Sequence, residues 1–180
     1  AMTADGLVVT HELTHSSLPG SGNLPHWIEE GFTEYFALRA ALAIDGAPSE
    51  ALRELLSTAW TFFVQDSPNR RAGATALGDY AGGLVLAHCI DVRLRRDGSS
   101  LEAVLKRARE RAGGAWTNEL WEQEIAVASA PAGALVVSAR VDPLDPPSTC
   151  FAEEHFARRP SVPALSPGAV GAWLGVSSVD

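Results

Sequence analysis

A chain of 180 residues, 46% of them hydrophobic, is long enough to bury the core of one domain. Its formal charge is −8, and its basic residues, such as Arg93, Arg95 and Arg96, read as solvated helix faces; both argue against nucleic-acid binding. No apolar run approaches the roughly 18 residues needed to span a bilayer, and no signal-peptide pattern is present.

The first helix is expected to be capped by Asp5 or a neighbour and to stop by Pro19. It carries His11-Glu12-Leu13-Thr14-His15. Histidines at i and i+4 lie one above the other on a helix face, so both rings can reach one metal ion. Glu12 points aside, towards a water on that metal. This is the H-E-x-x-H spacing of zinc hydrolases; a solvated, His-bearing helix is the bland alternative.

Residues 16–29 contain Pro19, Gly20, Gly22 and Pro25, which break the first helix and allow a reversal. A second helix is expected over 26–45, ended by Gly46. Two histidines and a water leave one tetrahedral zinc position for a further protein ligand. Glu29, Glu30 and Glu34 are available, and Glu30 and Glu34 share a face at i and i+4. One can ligate the metal; the other can accept the spare N–H of a ligand histidine and fix its tautomer.

A third helix is expected from a cap at Ser49 to about Gln65, a loop over 66–78, and a fourth helix from about Asp79 to Arg96 with Gly98 past its end. Within the fourth, Cys89 reads as a small buried hydrophobe and not a bridge partner, and His88 as a packed histidine. Ser99 and Glu102 form a capping-box pattern for a fifth helix, and Thr117 suits the cap of a sixth, with Trp116 and Trp121 as its staple. The tryptophans, Trp27, Trp60 and Trp173 included, read as packing anchors. His26 reads as a cap or surface residue, and His155, in the irregular tail, has no partner pattern. After Pro131 the character changes: Ala134 to Val141 reads as a short strand on its β-branched valines, and residues 142–180, with six prolines, as irregular.

The segment Trp27-Ile28-Glu29-Glu30-Gly31-Phe32-Thr33-Glu34-Tyr35-Phe36, placed after H-E-x-x-H, resembles the gluzincin metallopeptidases. It looks most like the glycyl aminopeptidase family, within the wider aminopeptidase N and thermolysin-like group. Tyr80-Ala81-Gly82-Gly83, Ile90-Asp91-Val92-Arg93-Leu94-Arg95 and Ser99-Ser100-Leu101-Glu102-Ala103-Val104-Leu105 extend the likeness over residues 7–125.

The resemblance implies a mainly α chain: the helical half of a thermolysin-like catalytic domain over residues 1–130, with a short β/irregular extension over 131–180. It implies Glu30 as the third ligand beside His11 and His15, with one Zn²⁺ per chain. Glu12 becomes the general base, Glu34 the carboxylate behind a ligand, and Tyr80 the donor to the developing oxyanion. The implied activity is aminopeptidase-like hydrolysis of a peptide or protein substrate. Alternatives are a catalytically silent interaction module, or a zinc hydrolase of a non-peptide bond.

The chain departs from the family in its short link between His15 and Glu30 and in Gly82, which stands where the family has lysine. Only ten residues precede His11, and Ala1-Met2 reads like a cloning remnant. The sequence is therefore expected to be a piece of a longer protein, with the family's substrate-binding sheet upstream. By itself it is expected to hold zinc but to cleave peptides weakly. Cytoplasmic and exported locations both stay open.

Overall fold

The structure, a computed structural model, describes residues 4–17, 26–44, 56–59, 77–113 and 117–141. Among them there are six helices and no strand: α1 (Ala4–Ser17), α2 (His26–Ile44), α3 (Leu77–Arg96), α4 (Leu101–Ala112), α5 (Asn118–Ala128) and α6 (Ala130–Val141). Residues 56–59 are also helical, and Leu56 and Ala59 join the core. The rest of the expected third helix, most of the expected loop, Trp116 and residues 142–180 lie outside the described residues. So do the side chains of His26, Trp27 and Tyr80.

The central element is α3. Residues 81–87, 89–91 and 94 are all buried, so the helix is enclosed nearly all round, as a helix with apolar residues on every face must be. Its chief partner is α2, which contributes Phe32, Tyr35 and Leu38 to the core. The two backbones meet at Gly31 and Gly83. A Cβ on Gly31 would overlap the backbone of Gly83 and lie 2.6 Å from the Leu84 nitrogen. Only glycine allows this approach.

Helix α3 ends on Gly98, whose φ of 79° suits the residue type. The Ser99 N–H donates to the Leu94 carbonyl at 2.8 Å, and the Gly98 N–H to that of Arg95 at 3.1 Å, the Schellman pattern. Helix α4 then starts one residue later than its expected cap. Ser100, not Ser99, accepts from the Ala103 N–H at 3.2 Å. Glu102 turns away from the cap to pair with Arg39 and Arg95. Helix α1 is described from Ala4, so Asp5 is already within it, and the neighbours before Ala4 lie outside the described residues.

Asp91 ties three helices together. Its carboxylate, 2% exposed, accepts from the Tyr35 hydroxyl at 2.7 Å, Arg39 at 3.0 Å, Arg95 at 2.8 Å and the Leu101 N–H at 2.8 Å. Burial opposes its charge, but these donors outweigh burial and hold the carboxyl below its usual range. Glu124 does a similar service between α4 and α5, clasped by Arg107 and Arg111. Trp121 packs edge-on against Phe32, with centroids 5.1 Å apart, which makes it the expected anchor.

The strand expected at 134–141 is a helix. Buried Ala132, Leu135, Val136 and Ala139 recur at i, i+3, i+4 and i+7, a helical stripe that packs on α3 and α5. Ser129 accepts from the Ala132 N–H at 3.2 Å and starts the helix. Gly133 lets α6 press on α5, since a Cβ there would lie 2.8 Å from Ala126. Local packing thus overrides the β preference of the valines. The reading of Cys89 is also corrected: it is buried, but it is disulfide-bonded and not a free thiol.

Candidate metal centre

Helix α1 packs on α2 alone among the described helices with more than marginal contact, and the site lies in that seam. On α1, His11 and His15 stand one turn apart, their rings edge-to-face with centroids 4.7 Å apart. On α2, Glu30, Thr33 and Glu34 form an i, i+3, i+4 stripe, so all three face α1 together. All three are buried.

Three donor atoms converge. His11 Nε2 lies 3.1 Å from His15 Nε2, and the Glu30 Oε2 oxygen lies 3.2 Å from each. The triangle is nearly equilateral. Ligands on a tetrahedral zinc, with bonds of about 2.0 Å, sit about 3.3 Å apart, so the spacing suits that ion. Among the described residues these three are the group of metal-ligating side chains close enough to share an ion.

The outer ring nitrogens are held as well. His11 Nδ1 lies 2.9 Å from Glu34 Oε2, and His15 Nδ1 lies 3.3 Å from Thr33 Oγ1. With protons on both Nδ1 atoms, both Nε2 lone pairs and the Glu30 carboxylate face one another with no proton between them. A cation resolves that arrangement. Without one, the two carboxylates draw a proton instead: burial works to lower the His11 pKa, but Glu30 and Glu34 outweigh it and raise it to about 9.

The expected site residues are therefore brought together, with two exceptions. Glu12 projects from the same turn as His11 but is exposed. Tyr80 lies on α3 one turn before Gly83, the residue that meets Gly31 beside Glu30; its side chain is outside the described residues. Glu29 is half-buried and adds no atom to the triangle. His88, on α3, adds no atom to the triangle; its ring lies 6.1 Å from that of Tyr35, and burial lowers its pKa to about 4. Sequence reasoning missed Thr33. Its one signal was its place three residues after Glu30.

Comparison of the chain with protein-family models, with curated proteins and with solved structures finds no match.

Proposed function

We propose that this chain is the zinc-binding helical half of a metallopeptidase of the gluzincin kind, acting on peptide bonds. The observation that carries the reading is the triangle of His11 Nε2, His15 Nε2 and Glu30 Oε2, with each histidine's other nitrogen held from α2. His11, His15 and Glu30 would hold the ion. When bound, zinc supplies a water acidified towards pKa about 7 and a Lewis acid for the substrate carbonyl.

Each residue then has a defined task. Glu34 fixes the tautomer of His11 and keeps its Nε2 free of a proton. Glu12 takes the proton from the attacking water and passes it to the leaving amine. Tyr80 donates a hydrogen bond to the carbonyl oxygen as it gains negative charge. Gly31 and Gly83 bring the helix of Tyr80 against the helix of Glu30.

One observation favours a second reading, a metal-holding module without a working cleft. Glu12 is exposed, and the apolar neighbours on its side of α1, Val9 and Leu13, are 57% and 62% exposed. A general base works best where water is excluded. The two readings share the metal and differ in turnover. Zinc titration against a His11→Ala control tests the first. Because this half alone is expected to cleave weakly, hydrolysis of an unbiased peptide mixture by the whole catalytic domain at full zinc occupancy separates it from the second.

A further inference from the structure

We infer that Thr33 is a positioning residue for His15, its hydroxyl accepting from Nδ1–H and holding the ring with Nε2 turned to the metal. The inference rests on the proposed zinc site and gives a task to a residue of the second segment to which the resemblance assigns none.

The two histidines of α1 are served differently. His11 meets a carboxylate, Glu34, at 2.9 Å. A neutral hydroxyl, that of Thr33, serves His15 at 3.3 Å. A hydroxyl can donate or accept, so on its own it does not choose a tautomer. The inner nitrogen makes the choice. His15 Nε2 lies 3.1–3.2 Å from a second imidazole nitrogen and a carboxylate oxygen that converge on one point. A metal there needs the Nε2 lone pair, so the proton sits on Nδ1 and Thr33 Oγ1 accepts it. Thr33 is fully buried inside α2, so its hydroxyl cannot wander. A threonine in a helix also has few χ1 choices.

The neutral partner has a second consequence. Glu30 and Glu34 already place two negative charges around the ion, and a third acid behind His15 would crowd a half-buried site. Threonine orients the ring without adding charge. Partners of this kind change metal affinity by about 10–100-fold when removed.

The test compares Thr33→Val, which keeps the shape and loses the hydroxyl, with Thr33→Ser, which keeps the hydroxyl, and with His11→Ala. Zinc affinity is read by competition with a coloured chelator. The Co²⁺ absorption spectrum reports the ligand field, and thermal unfolding of the metal-free proteins reports the fold. Thr33→Val is expected to weaken zinc by about 10-fold or more. Its Co²⁺ bands should shift, with unfolding close to the parent. Thr33→Ser should restore both affinity and spectrum.

Parent-like zinc affinity in Thr33→Val, with His11→Ala still deficient, overturns this inference and leaves the zinc site standing. Weak binding in both Thr33 variants overturns it too, because a retained hydroxyl would then fail to restore the site. No zinc uptake by the parent chain above His11→Ala overturns the underlying site. Should Thr33→Val not fold, Thr33→Ser against Thr33→Ala gives the same reading.

Discussion

Gly31 and Gly83 lie backbone to backbone where α2 crosses α3, with no room for a methyl group on Gly31. Gly31 directly follows Glu30 on α2, and Gly83 follows Tyr80 by one turn on α3. The close approach therefore sets the packing of α2 on α3 and brings the helix of Glu30 against the helix of Tyr80.

Gly31→Ala should be strongly destabilising, although alanine favours a helix over glycine by about 1 kcal/mol. The clash is with backbone, which cannot rotate away, so a net loss of about 3 kcal/mol or more is expected. Urea unfolding measures it. A stability equal to the parent's would show that the two helices do not cross this closely.

Asp91→Asn should cost about 2 kcal/mol or more, because Arg39 and Arg95 lose their buried counter-charge. Its partners hold the folded Asp91 pKa below the ordinary 3.8. The stability this supplies is thus complete above about pH 3.8 and is lost as the pH falls through the folded value. Denaturation curves of parent and variant should converge in strong acid. A constant gap across pH would remove the charge from the account.

His88 behaves with the same sign for a different reason. Unfolded, it takes a proton near pH 6.5; folded, only near 4, because burial disfavours the charge. Between those values the unfolded chain holds the extra proton, so stability falls as the pH drops from 6.5 to 4. The loss is on the order of 3 kcal/mol. His88→Gln should flatten that part of the profile relative to the parent. An unchanged slope would place the acid sensitivity elsewhere.

Much of this was legible because helical periodicity is local. His11 with His15, and Glu30 with Glu34, are pairs that any helix would bring together, and the sequence needs only to be helical there. Thr33 was not legible, since its meaning comes from the packing of α1 on α2. The strand expected at 134–141 failed for a related reason. Val136, Val137 and Val141 suggest a β element, but the stripe of Ala132, Leu135, Val136 and Ala139 finds a helical partner in α3, and Ser129 starts a helix. At the next connection a single-residue shift moved the cap from Ser99 to Ser100, a choice settled by where the Schellman turn on Gly98 ends. The burial of Glu124 by two arginines has no local signature at all.

In the whole catalytic domain, Glu12→Gln should keep zinc and abolish hydrolysis, because Glu12 is assigned to proton transfer and touches none of the three donor atoms. Tyr80→Phe should lower turnover by on the order of 10²-fold with zinc affinity unchanged, as one lost oxyanion donor does. Peptide cleavage at matched zinc occupancy checks both. Retained activity in Glu12→Gln would assign the base to another residue, and an unchanged rate in Tyr80→Phe would make that tyrosine a packing residue.

The most direct test of the zinc site is a zinc titration of the purified chain and of His11→Ala, His15→Ala and Glu30→Gln, with X-ray absorption on the loaded parent. The account predicts one zinc per parent chain, nitrogen ligands at about 2.0–2.1 Å, and a large loss of affinity in each variant. A parent that takes up no zinc, or variants that bind it as tightly as the parent, would contradict it.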